Sequence, residues 1–124
     1  MRFFPPIDPS HVSYSLSNLQ NVKLKDGILE VESTTVKNLC NDFGISNLAL
    51  LKLDIEGAAG NVCKNLFSDG VFPEQIVIEF DELFFLSLRN LIRIKILQFR
   101  LFKNKYKLVT KTSDAEVSYL RYQD

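Results

Sequence analysis

The chain has no tryptophan, one histidine, two cysteines, five glycines and four prolines among 124 residues. Each scarcity excludes something. Cys40 and Cys63 form no CxxC and no metal spacing, and His11 alone cannot complete a Cys/His zinc site, so no metal is expected. A chain of this size needs no disulfide to fold, so both thiols are read as reduced in a cytoplasmic setting. The small share of glycine and proline excludes collagen-like and low-complexity classes, and 46% hydrophobic residues exclude disorder. No secretory leader is expected, because Pro5, Pro6 and Pro9 fall where its apolar region would lie. A membrane span is also absent. The richest apolar stretch, 83–102, is broken by Arg89, Arg93, Lys95 and Arg100, well short of the roughly 18–20 uninterrupted apolar residues a span needs.

Net charge is missing too, with fifteen basic and fifteen acidic residues. The distribution is uneven. Residues 1–82 carry twelve acids and six bases, whereas 83–124 carry three acids and nine bases. Between Leu83 and Ser113 there are eight bases and no acid. Such asymmetry marks a nucleic-acid or membrane surface, or simply the solvated face of one helix. The stretch lacks the aromatic interleaving of single-strand binders, and Phe99, Phe102 and Tyr106 are as easily core. Nucleic acid is therefore not an expected partner.

What is present is apolar bulk, including ten phenylalanines and four tyrosines, enough for one domain. Residues 1–27 read as an irregular loop segment, held out of regular structure by Pro5, Pro6, Pro9 and a run of serines. Residues 28–124 read as the α/β part. A short strand over 28–33 follows the Asp26-Gly27 turn. Thr35 caps a helix that Gly44 ends. The apolar run at 48–56 predicts a buried strand, 58–67 a helix, and 75–80 a second buried strand. A long helix is expected over 83–103. On it Arg89, Arg93, Arg100 and Lys103 fall within about 80° of arc, with Leu88, Leu91, Ile92 and Phe99 on other faces. Strands at 106–111 and 116–122, joined by a short connection, demand an antiparallel pair. Strands alternating with helices argue for a mostly parallel sheet, and the apolar runs for one covered on both sides.

In open α/β sheets, ligands sit beyond the carboxyl ends of the strands. Two strand ends here are acidic, Asp54-Ile55-Glu56-Gly57 and Glu79-Phe80-Asp81-Glu82. Period-two alternation puts Lys52, Asp54 and Glu56 on one side of the first strand, with Asp54 or Lys52 within reach of Glu79 if the strands are neighbours. A bland reading is equally available, in which Lys52 pairs with Glu79 and Glu56 caps the following helix. Gly57-Ala58-Ala59-Gly60 is small enough for close backbone approach, but no GxGxxG, Walker A or nucleophile elbow occurs. Helix-to-sheet packing explains it better than a phosphate cradle. His11 beside Ser13 and Ser15 forms no legible catalytic triad.

The run Leu50-Leu51-Lys52-Leu53-Asp54-Ile55-Glu56-Gly57-Ala58, followed by Gln75-Ile76-Val77-Ile78-Glu79-Phe80, resembles the FkbM-type family of S-adenosylmethionine-dependent methyltransferases. Asp8-Pro9-Ser10-His11-Val12-Ser13 with Ser15 resembles the loop that precedes those motifs, so the likeness covers roughly residues 4–82. The resemblance implies a Rossmann-like methyltransferase acting on a small-molecule hydroxyl acceptor. It implies catalytic roles for Asp54, Glu56 and Glu79, and a substrate-facing loop with His11, Ser13 and Ser15. Two positions depart from the pattern: Ala59 stands where the family usually has an acid, and Tyr14 where it often has a histidine. The family's first strand and glycine-rich turn, which hold the cofactor, would lie upstream of Met1. The resemblance thus implies a single partial domain, its carboxyl-terminal part, inactive alone and binding S-adenosylmethionine poorly or not at all. Without its missing neighbour the strand over 48–56 becomes an exposed apolar edge, favouring self-association or completion by the 28–33 strand or another chain. The alternative is a non-catalytic half-domain acting as an interaction module.

Overall fold

The computed structural model describes residues 2–5, 14, 27–55, 57–80, 87–112 and 115–122. In chain order the elements are β1 (Arg2–Phe3), β2 (Leu29–Glu30), α1 (Val36–Asp42), β3 (Leu50–Leu53), α2 (Ala59–Ser68), β4 (Gln75–Glu79), α3 (Leu88–Lys103), β5 (Tyr106–Lys111) and β6 (Glu116–Arg121). The chain is therefore α/β. His11, Ser13, Ser15, Glu56 and the first residues of the expected long helix lie outside the described residues.

The main sheet has the order β3-β4-β6-β5. β3 and β4 are parallel, joined through α2, with Lys52 beside Val77 and Leu53 beside Ile78. β6 runs antiparallel to both β4 and β5. Three strands thus share one direction, and the last strand of the chain is inserted, reversed, between two of them. The expected antiparallel carboxyl-terminal pair is present. The expectation of a mostly parallel sheet holds for strand direction but not for pairing, because the inserted β6 leaves β3–β4 as the single parallel contact.

Alternation along the strands selects the core. Leu53, Ile76, Ile78, Val117 and Tyr119 face α2 and α3, which supply Ala59, Cys63, Leu66, Ile94, Leu97 and Leu101. Tyr106 closes one end of this core, where its hydroxyl donates to the Pro73 carbonyl. Phe67 stacks on Phe72, and the Arg121 guanidinium lies 4.2 Å from the Phe72 ring centre. Both cysteines are free and buried, and burial pushes the Cys63 thiol up to about 12.

Two expectations need correction. The strand expected at 28–33 shrinks to two residues that pair with β1, tied by Arg2 Nε to Glu30 Oε1 at 2.7 Å, and it does not extend the main sheet. Glu30 and Glu32 interrupt its apolar residues, and Leu29 and Val31 stay exposed. The sheet is also not apolar on both faces. Opposite the core face, Lys52, Gln75, Glu79 and Glu116 alternate with the core residues around a buried Ser118, and Leu50 and Leu120 are exposed.

Packing also settles which face of α3 is core, a choice the sequence left open. Its core stripe is Asn90, Ile94, Leu97 and Leu101, whereas Leu88, Leu91, Ile92 and Phe99 face outward. Local signals otherwise decide the helix ends. Thr35 Oγ1 accepts from the Asn38 amide at 3.1 Å and Ser87 Oγ from the Asn90 amide at 3.2 Å, satisfying donors that the first turn leaves unpaired. After α1 the backbone turns at Gly44 with φ +64°, a conformation that glycine adopts without steric cost.

Candidate functional site at the rim of the parallel strands

Because β3 and β4 are parallel and in register, their carboxyl ends meet at one edge. The reversed β6 brings its amino end to that edge, setting Glu116 directly opposite Glu79. Two carboxylates in that relation repel. The cation that offsets them comes from two strands away: Lys52 Nζ reaches Glu116 Oε2 at 2.9 Å. Asp54, two residues beyond Lys52, continues on the same side just past the end of β3.

The ammonium of Lys52 therefore sees three acids. Its hydrogen bond to Glu116 and the charge of Glu116 raise its pKa above the ordinary lysine value. Partial desolvation opposes this, and the charges of Glu79 and Asp54 add smaller upward contributions. Two sequence-predicted residues, Asp54 and Glu79, are brought to one rim around a common lysine. The simple pairing of Lys52 with Glu79 is replaced by a pairing with Glu116. That partner was not legible in the sequence, because only the insertion of β6 beside β4 brings residue 116 near residue 52.

A second feature lies at the same rim on the helix side of the sheet. A cavity of about 390 Å³ opens between the start of α2 and the flank of α3, lined by Gly57, Gly60, Asn61, Phe80, Arg93 and Arg100, among others. Gly57 has φ +78°, and Ala58 offers α2 no side-chain cap. Arg100 Nη1 approaches the Gly60 carbonyl at 3.4 Å. Neither Asp54 nor Glu79 lines this cavity. The acidic cluster occupies the sheet face opposite the helices, whereas the cavity is basic. Sequence analysis singled out the small residues at 57–60 for close backbone approach but did not foresee two arginines of α3 beside them. Their helical spacing of seven residues was the available signal.

The rim offers carboxylates able to orient or deprotonate a hydroxyl, beside a crevice fringed by cations. Among the described residues, no group of three or more His, Cys, Asp or Glu is placed to hold a metal ion. No helix among them is long and apolar enough to cross a membrane. No protein-family model, no curated protein and no solved structure matches the chain.

Proposed function

We propose that these 124 residues are the carboxyl-terminal part of an FkbM-like, S-adenosylmethionine-dependent O-methyltransferase domain of Rossmann-like fold. The observation that carries this reading is the parallel, in-register pairing of β3 with β4, which sets Asp54 and Glu79 at one rim around Lys52. Those two strands are the ones whose residues resemble the family. The three co-directional strands with a reversed terminal strand are compatible with the carboxyl-terminal part of such a sheet.

In a complete domain, methyl transfer requires mainly the alignment of an acceptor oxygen with the donor methyl group. Asp54, Glu56 and Glu79 would orient the hydroxyl or take its proton, and His11, Ser13 and Ser15 would face the acceptor. S-Adenosylmethionine would supply the methyl group. No GxGxxG turn occurs within the chain, so we assign it no cofactor affinity of its own.

Isothermal titration of the chain with S-adenosylmethionine should give no micromolar binding; micromolar binding would overturn that assignment. The genomic sequence immediately upstream of the Met1 codon tests the family reading. A glycine-rich strand-turn there, in frame or displaced by a frameshift, supports it, and absence of one removes it. With the domain completed, Asp54→Asn should lower turnover substantially, and unchanged turnover would take Asp54 out of the mechanism.

A second reading, a non-catalytic interaction module, is favoured by the β3 edge. β5, at the opposite edge, is guarded by Lys107 and Lys111 and broken by an irregularity between Leu108 and Thr110. β3 carries Leu50-Leu51-Lys52-Leu53 and, among the described residues, pairs on one side only. Self-association through this edge predicts a concentration-dependent dimer in sedimentation equilibrium that Leu50→Pro abolishes. A monomer at all concentrations would count against it.

A further inference from the structure

The outer face of α3 is apolar where a surface helix is expected to be polar. Leu88, Leu91, Ile92, Ile96, Phe99 and Phe102 fall within about 140° of arc at 100° per residue, opposite the core stripe. All six are exposed, with Leu88 at 75% and Phe102 at 68%. Burial of the core does not need them: Ile94, Leu97 and Leu101 already anchor the helix.

The charge on this helix is of one sign. Arg89, Arg93, Lys95, Arg100 and Lys103 are its ionisable residues, with no acid in sixteen positions. Lys95 and Lys103 stand within the apolar arc, and Arg89, Arg93 and Arg100 line one flank of it. An isologous contact with a second copy would bring two arcs bearing Lys95 and Lys103 together, with no acid on either helix to offset these cations. A neutral apolar partner would leave the five cations without a counterpart.

A surface that is apolar beneath and anionic at its boundary answers both features. Aromatic and aliphatic side chains enter the acyl boundary while long basic side chains extend to headgroups. We propose that α3 docks by its outer face onto an anionic lipid bilayer, lying in the interface and not crossing it. This inference is independent of the methyltransferase reading.

Vesicle co-sedimentation of the full chain tests it, using phosphatidylcholine alone and phosphatidylcholine mixed with phosphatidylserine. The expected result is binding to the anionic vesicles at least about tenfold tighter than to the neutral ones, weakened by added salt. Phe99→Ser combined with Phe102→Ser should reduce that binding at least about tenfold. The thermal melt of the double variant should stay unchanged, because both side chains are exposed. Equal binding to the two vesicle types overturns the proposal. So does binding insensitive to the double substitution, or no binding. A lipid-free dimer that the double substitution dissociates, without vesicle binding, would assign the face to a second copy and also overturn it.

Discussion

Two residues on one helix separate the observed packing of α3 from the alternative in which its outward aromatic face forms the core. Leu101 is 0% exposed and lies among Ile94, Leu97 and the sheet residues of the core, whereas Phe99 is 65% exposed. Leu101→Ala removes buried methyl groups and leaves a cavity that the surroundings fill only in part, at a cost of about 2–5 kcal/mol. Phe99→Ala removes the larger side chain but touches little, so its effect should stay within about 0.5 kcal/mol. For 124 residues, the unfolding entropy near the melting temperature is about 0.26 kcal/mol per kelvin. Each kcal/mol therefore shifts Tm by about 4 °C. Leu101→Ala should lower Tm by roughly 8–20 °C and Phe99→Ala by no more than about 2 °C. Differential scanning calorimetry of both variants reads this directly. A larger loss for Phe99→Ala than for Leu101→Ala would refute the packing described for α3, and with it the exposed apolar stripe.

Other consequences concern buried groups and the rim. The Cys63 thiol, held near 12 when folded, ionises from its ordinary value of 9.0 once unfolded. The unfolded state thus loses the proton first and stability falls with rising pH, by about 1 kcal/mol between pH 8 and pH 10. Cys63→Ala should remove that part of the alkaline slope in urea titrations at the two pH values; an unchanged slope would contradict the burial of the thiol. Tyr106→Phe removes the donor to the Pro73 carbonyl and should cost about 1–2 kcal/mol by chemical denaturation, whereas a neutral result would mean that no such bond is made. Lys52→Met removes the ion pair with Glu116 while Glu79 and Glu116 stay opposite each other. Because Glu116 raises the pKa of Lys52, the stability this pair contributes is present at neutral pH and lost as pH rises past the ordinary lysine value, so the Tm difference between parent and variant should shrink in strong alkali; a constant difference would argue against the pair.

The legibility of this fold followed the range of the interactions concerned. Thr35, Gly44 and Gly70 mark helix ends through contacts within a few residues, and α1 and α2 lie where those signals place them. The continuous runs at β3 and β4 were readable as strands flanking a helix, so their parallel pairing followed from chain length and connection. The strand at 28–33 was overestimated because period-two patterning cannot tell whether a partner exists to bury it. The rotation of α3 stayed open in the sequence because both of its sides are apolar, and only packing against Cys63, Leu66 and the sheet selects Leu97 and Leu101 over Phe99 and Phe102. At the rim, Asp54 and Glu79 were found from strand-end chemistry. Glu116 was not, because its position is a property of strand order, which local patterns do not encode.

The central claim is that β3 lies beside β4 in parallel register, so that both present their acids at one edge. Nuclear Overhauser contacts in the isotopically labelled chain test it most directly. The account predicts cross-strand contacts joining Lys52 to Val77 and Leu53 to Ile78. Contacts joining Leu53 to Gln75 and Leu50 to Ile78 instead would signal antiparallel pairing, place Asp54 and Glu79 at opposite ends of the sheet, and contradict it.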